Sequence, residues 1–134
     1  MIIEKDLKKL FHQLDHDDIA HISLGSSDVT VRVFDGASRI TLSTPVYHGG
    51  NFLPKSVRHC TSQKLTLLNP IQIKTSLRID EENFRVILNY LGDLGGLTTI
   101  QFKDILEEFS YLAEEWRLHL DENDKNDLVH VRVQ

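Results

Sequence analysis

Three histidines near the N-terminus are the residues of this chain whose type and spacing come closest to a chemical site. His12, His16 and His21 are separated by three and four residues and lie among aspartates, so one interpretation is a site for a divalent metal ion. His12 and His16 would share a helical face only if a helix continues through Asp15. The sequence has neither a His-Glu-x-x-His motif nor the paired cysteines of a zinc site. We favour solvated turn residues and predict no metal site, with ligation by these histidines left as the alternative.

Other candidate motifs fail on spacing. Cys60 follows a histidine, but catalytic Cys–His pairs are brought together by the fold and not by adjacency in sequence. The acidic run 121–127 resembles a calcium loop, but Lys125 takes the place of an oxygen ligand and Asn126 the place of the glycine. The glycine-rich segment 92–96 lacks the Lys-Ser/Thr of a phosphate-binding loop. The sequence therefore predicts no enzyme, no catalytic residue and no cofactor.

The composition excludes several classes of function. The chain has 134 residues, enough for one domain, and 20 acidic against 15 basic side chains give a net charge of -5. This balance does not favour binding to nucleic acid or to an anionic membrane surface. A single cysteine excludes an intramolecular disulfide and favours a reducing compartment, and no segment approaches the ~20 apolar residues that span a bilayer. We expect a soluble cytosolic protein that acts by binding other proteins.

Hydropathy patterns predict the elements of the N-terminal half. Apolar residues recur every three or four positions from Ile3 to Leu14, which predicts an amphipathic helix that ends in a polar turn. Three short runs separated by tight turns then predict an antiparallel meander, and the second and third of them alternate between apolar and polar residues. These runs are residues 19–24, 29–33 and 39–43. Proline and glycine interrupt residues 45–63, where we predict a loop with one short helix over residues 55–60.

The C-terminal half carries clearer signals. Alternation over residues 71–79 predicts a long strand, and a polar turn separates it from a second run over residues 84–90. The second run also fits a helical face, but its β-branched and aromatic residues favour a hairpin. Thr98 and Gln101 form a capping-box pattern ahead of an amphipathic helix over residues 102–120.

These elements predict an α+β fold. It comprises an N-terminal helix, an antiparallel twisted sheet of about five strands and a long C-terminal amphipathic helix. We expect one domain over residues 1–120. Residues 121–134 would then form a polar link and a C-terminal tail or edge strand.

This order of elements resembles the type III secretion chaperones of the Tir-chaperone type, which are small acidic proteins of Gram-negative pathogens. The likeness is clearest in Thr75–Asp80, in Phe84–Leu88, and in the helix Phe102–Leu120 with its Trp116. The resemblance implies a dimer in the bacterial cytoplasm that holds an unfolded segment of a secreted effector protein ready for export, without ATP. It also implies that exposed sheet edges and apolar grooves take the client.

Two features depart from the family pattern. The family usually has a helix in the middle of the chain that helps to form a two-fold dimer, whereas residues 45–63 are rich in proline, glycine and histidine. The segment 128–133 extends past the usual end. We therefore expect an altered dimer surface or pairing with a different chaperone subunit, as in heterodimer-forming members of a chlamydial branch of the family.

The resemblance also implies which residues contact partners. We expect nine apolar residues of the first helix and the meander to contribute to effector binding, while an ordinary core role is the alternative favoured for each. They are Leu10, Leu14, Ile22, Leu24, Val29, Val31, Val33, Ile40 and Leu42. The dimer interface would use the strand that carries Ile71, Ile73, Thr75, Leu77 and Ile79.

A regulatory protein is the alternative function. A small acidic domain can bind RNA polymerase or a sigma factor through protein surfaces alone and so control transcription. Capture of polymerase subunits and of no secreted protein would favour this alternative over the chaperone.

Overall fold

The structure is a computed structural model that describes residues 4–36, 38–62, 65, 67 and 73–133, with side chains as far as residue 122. Its eight elements follow one another along the chain as three helices and five strands. They are α1 (Glu4–His16), β1 (Ile19–Leu24), β2 (Ser27–Phe34), β3 (Arg39–His48), α2 (Lys55–Cys60), β4 (Thr75–Asp80), β5 (Arg85–Asp93) and α3 (Thr99–Val133). The predicted α+β class is confirmed, with five strands in one sheet.

Helix α1 forms because its apolar residues lie on one face. Leu7 and Leu10 are buried on that face, and Glu4 and Asp6 in the first turn interact favourably with the positive end of the helix dipole. The helix continues to His16, two residues beyond the predicted end at Leu14. It therefore passes through Asp15, the condition for His12 and His16 to share a face.

The first three strands form the predicted meander. β1 pairs antiparallel with β2 and β2 with β3. The alternation seen in the sequence is an alternation of burial, with every second side chain of β1 and β2 buried. Gly25 has a φ of 62° in the tight turn between β1 and β2, a conformation that residues with a Cβ adopt reluctantly.

Strand β3 is longer than predicted. The prediction that Pro45 begins a loop is wrong, because β3 continues through Pro45 to His48. The register with β5 shifts between Pro45 and Tyr47. A bulge is one of the few places where a sheet interior tolerates a residue that lacks an N–H donor.

The segment between β3 and β4 contains a short helix. The short helix predicted over residues 55–60 is confirmed as α2, and its Val57 and Cys60 are buried. The altered dimer surface or different partner subunit expected from residues 45–63 stays a prediction.

The hairpin prediction for the C-terminal half is confirmed. β4 pairs antiparallel with β5 across the turn at residues 81–84, and β5 lies between β3 and β4, so that the strand order is β1-β2-β3-β5-β4. β4 begins at Thr75, later than the predicted start at residue 71. Ile73 and Lys74 lie before the strand. Residues 71 and 72 lie outside the described residues.

Helix α3 begins with the predicted capping box. The backbone N–H of Thr98 donates to Gln101 Oε1 at 3.0 Å, and the N–H of Gln101 donates to Thr98 Oγ1 at 3.1 Å, which satisfies donors that the first turn leaves free. The bounds of α3 run to Val133. The backbone of residues 128–133 is therefore helical and does not form the edge strand given as one alternative. A separate tail over residues 121–134, like the domain boundary at residue 120, stays a prediction.

One core joins all three helices to one face of the sheet. The inward side chains of the strands form a single buried cluster with Leu10 of α1, Val57 of α2 and Phe109 of α3. The rings of Phe11 and Phe102 contact each other with centroids 5.5 Å apart, which places the start of α3 beside α1. Among the described residues, the three helices thus pack on one face of the sheet.

Candidate protein-binding surface

The residues predicted to contact an effector lie on the helix side of the sheet. Eight of the nine are buried in the core, and the ninth, Leu14, is half-buried against it. The buried ones are Leu10, Ile22, Leu24, Val29, Val31, Val33, Ile40 and Leu42. They hold the fold together, which is the alternative that the sequence favoured for each of them. A role for these nine residues in effector binding stays a prediction.

The open edge of β1 presents backbone hydrogen-bonding groups. The carbonyl of Asp18 accepts from the N–H of Val33 in β2 at 2.8 Å, so residues at even positions direct their backbone groups towards β2. Residues at odd positions then direct theirs away from the sheet. They are Ile19, His21 and Ser23. The side chains of these three residues are exposed.

One of these outward groups is already used. The N–H of His21 donates to the side-chain Oε1 of Gln13 in α1 at 3.4 Å, a long hydrogen bond. A side-chain amide has the same acceptor as a peptide group, so Gln13 occupies the position at which the carbonyl of an added strand would lie.

A groove runs between the end of α1 and the β1 edge. The polar end of the helix and the first residues of the strand line this groove. It is lined by His12, Gln13, His16, Asp17, Asp18, Ile19, Ala20 and His21. Ile19 is 40% exposed and offers apolar surface next to open backbone groups, the combination that an added peptide strand recognises.

The face of the sheet opposite the helices is mixed in character. Leu91 is 51% exposed there and lies opposite Thr41 of β3. Ile87 is only 6% exposed although it lies on the same face, between Pro45 of β3 and Arg78 of β4 in the register. On this face, the exposed apolar side chain of Leu91 thus lies on the same side of the sheet as the basic side chain of Arg78.

The other sheet edge is formed by β4, where the dimer interface was predicted. Thr75, Leu77 and Ile79 are half-buried on the helix side of this strand. Ile73 precedes the strand, and its N–H donates to Glu108 Oε1 at 3.1 Å. Ile71 lies outside the described residues. The structure therefore brings three of the five predicted residues together at one edge, and their role in a dimer stays a prediction.

Charged side chains form hydrogen bonds in the turn after β4. The carboxylate of Asp80 accepts from Asn83 Nδ2 at 3.0 Å and from the Arg85 guanidinium at 2.9 Å, and these hydrogen bonds lower the pKa of Asp80 to about 2. Next to it, Arg58 of α2 donates to both carboxylate oxygens of Glu81, at 2.7 and 2.9 Å. The Arg58–Glu81 pair joins α2 to the hairpin, whereas the contacts of Asp80 lie within the hairpin itself.

The histidines do not form a three-ligand metal site. Within the described residues, no group of three or more His, Cys, Asp or Glu side chains could hold a metal ion. His12 and His16 do share a face of α1, with ring centroids 4.5 Å apart, whereas His21 lies in β1.

Cys60 does not have the environment of a nucleophile. Its side chain is buried and burial raises the pKa of the thiol, which disfavours the reactive thiolate. Nor is any helix of the described chain long and apolar enough to cross a membrane.

Comparison with solved structures identifies the fold. No family profile and no curated protein sequence matches the chain. Its fold is similar to that of a chain of the ExsC-ExsE complex, at 17% identity and a TM-score of 0.58, over 87% of this chain and 94% of that one. It is also similar to a chain of the HopA1-SchA chaperone-effector complex, at 12% identity and a TM-score of 0.56, over 85% and 91% of the two chains.

A further likeness is to a chain of the heterodimeric ExoU-SpcU complex of the type III secretion system of Pseudomonas aeruginosa. There the identity is 11% and the TM-score 0.55, over 87% of this chain and 95% of that one. The chain has the fold of type III secretion chaperones, as the resemblance in sequence predicted.

Proposed function

We propose that this chain is a type III secretion chaperone that binds an unfolded segment of a secreted effector protein in the bacterial cytoplasm. The observation that carries the proposal is the likeness, over more than four-fifths of the chain, to chains of a chaperone-effector complex and of a heterodimeric complex of a type III secretion system. A fold does not by itself fix a function. The open backbone edge beside an apolar residue supports the same conclusion independently.

The client would bind as an added strand along β1. Its backbone would pair with the outward groups of Ile19, His21 and Ser23 and would displace the side chain of Gln13 from the His21 amide. One set of alternate client side chains would enter the groove beside α1, and the other would lie next to the exposed side chain of Ile19. Backbone pairing supplies affinity for any extended chain, and the groove supplies selection among sequences.

Binding of this kind needs no nucleotide. Strand addition is an equilibrium in which the ordering entropy of the client opposes new hydrogen bonds and burial of apolar surface. Release then follows when another factor takes the client. We accordingly propose an ATP-independent holder and not a motor.

The β4 edge is left for a second chaperone subunit. With β1 assigned to the client, the half-buried Leu77 and Ile79 and the backbone of β4, the last strand of the sheet, would meet the same edge of a partner. The second subunit is either a copy of this chain or a related chain, and light scattering on the purified protein distinguishes the two.

The test is capture of the client by untagged purified protein. N-terminal segments of the secreted proteins of the source organism are offered as unfolded fragments without ATP, and binding is measured by calorimetry and by protection of the fragment from protease. We expect one or a few fragments to bind saturably. The matched control is a chain with His21→Pro, which removes an outward N–H from β1 and leaves the pairing of β1 with β2 intact. It should remain folded and lose binding.

Absence of binding by any secreted fragment would contradict the chaperone proposal. Capture of RNA polymerase subunits or a sigma factor instead would support the regulatory alternative.

A further inference from the structure

Two histidines on the exposed face of α1 are placed as a pair. His12 and His16 lie four residues apart, one turn of helix, and their ring centroids are 4.5 Å apart with the ring planes at 51°. Both side chains are exposed. The pair exists because α1 continues through Asp15 to His16. Side chains four apart on a helix lie on the same face and can reach a common atom.

The hydrogen bond made by His16 determines its tautomer. His16 Nδ1 lies 3.0 Å from the backbone carbonyl oxygen of His12. A carbonyl oxygen can only accept, so Nδ1 carries the proton. The neutral ring then has its lone pair on Nε2, directed away from the helix backbone. Histidines that bind metals commonly donate the other ring nitrogen to a carbonyl in this way.

The surroundings of the pair are polar and acidic. The rings line the groove between α1 and β1 together with Gln13, Asp17, Asp18 and His21. The two carboxylates make the groove more favourable for a cation. Because no group of three described residues could hold a metal, water completes the coordination of any ion bound by the pair.

We propose that His12 and His16 form a two-histidine site for a divalent metal ion of intermediate hardness, such as Zn²⁺ or Ni²⁺. Imidazole nitrogen suits these ions and not the hard ions Mg²⁺ and Ca²⁺, which prefer oxygen. The bound ion joins two turns at the end of α1. It lies in the groove beside the β1 edge, so it changes the surface that an added strand would meet. The site itself does not depend on the proposed function.

The experiment uses the untagged full chain, stripped with chelator, and titrates Zn²⁺, Ni²⁺ and Mg²⁺ by calorimetry and by thermal unfolding. We expect saturable binding of Zn²⁺ and Ni²⁺ and a higher unfolding temperature, since a ligand of the native state stabilises it. Mg²⁺ should have no effect. Binding should weaken on acidification, because protons compete for the ring nitrogens.

Matched variants identify the ligands. His12→Asn and His16→Asn should each weaken Zn²⁺ binding by at least about tenfold, since even residues that only orient a ligand contribute about 10–100-fold. His48→Asn removes an exposed histidine at the end of β3 and should leave binding unchanged. Imidazole NMR spectra of the unmutated chain give a second readout, in which the His12 and His16 resonances should shift with Zn²⁺. The proposal is overturned if no saturable binding occurs, if other rings shift instead, or if His48→Asn weakens binding as much as the two α1 variants.

Discussion

The backbone N–H of His21 in the edge strand β1 donates a hydrogen bond of 3.4 Å to the side-chain Oε1 of Gln13 in α1. The amide that a client strand would use is therefore held by a side chain that resembles a peptide group. Sheet edges of native proteins are commonly blocked against unwanted pairing. Here the block is one long hydrogen bond, which an added strand would have to displace.

Removal of this block should favour the client. In a Gln13→Ala chain the His21 amide should exchange with solvent faster, and affinity for the client should rise roughly two- to tenfold, since one such hydrogen bond contributes about 0.5–1.5 kcal/mol. Amide exchange by NMR and calorimetry measure the two effects. Lys9→Ala, another exposed position of α1, serves as the control. Unchanged exchange at His21 would show that Gln13 does not block the edge in solution.

The core and the outer face of the sheet should respond differently to truncation. Leu42→Ala, at a fully buried position, should lower the free energy of unfolding by about 2–5 kcal/mol. Leu91→Ala, on the exposed face, should change it by less than about 0.5 kcal/mol. Denaturant unfolding measures both. Equal losses would mean that Leu91 is covered in solution, for instance by a second subunit.

Gly49 should tolerate no side chain. Its N–H donates to the carbonyl of Phe84 at 2.7 Å, and a Cβ at Gly49 would lie 2.9 Å from that same oxygen and closer still to the carbonyl of Phe52. Both obstacles are backbone atoms, so they cannot move aside as a flexible side chain would. Gly49→Ala should therefore destabilise the chain by about 1–3 kcal/mol. Gly95→Ala, where a Cβ would meet no atom within 4 Å, should be nearly neutral, and thermal unfolding of the two variants decides.

Asp80 should titrate well below an ordinary aspartate. Folding lowers its pKa from 3.8 to about 2, so its contribution to stability is present above pH 3.8 and is lost as the pH falls towards 2. Asn83, the largest cause of the shift, can be tested directly. Asn83→Ala should raise the pKa of Asp80 in a carboxyl NMR titration, and Asn51→Ala, in an exposed turn, should not. A pKa near 3.8 in the unmutated chain would contradict the geometry of this turn.

Local patterns in the sequence predicted most of the fold. The alternation of Val29, Val31 and Val33 gave β2, and the Thr98–Gln101 pair gave the start of α3, because both signals depend on interactions between near neighbours. Pro45 misled the prediction. A bulge that accommodates proline depends on the register with β5, whose strand lies some 40 residues further along the chain.

The binding surface was harder to predict than the fold. Period-two alternation identifies which side chains share a face, but it does not say which face the helices cover. Ile22 and Leu42 were therefore candidates for a partner surface, although both lie in the core. The open edge is a property of the backbone and of strand order. The side-chain types of Ile19 and Ser23 do not reveal that these residues lie at an edge.

The most direct test of the account is residue-resolved amide exchange of the chain with and without its client. The account predicts that the outward amides of β1, at Ile19, His21 and Ser23, become strongly protected in the complex, while the amide of Ile22, already paired with β2, changes little. Saturable binding of a secreted protein that leaves the exchange of these three amides unchanged would contradict it.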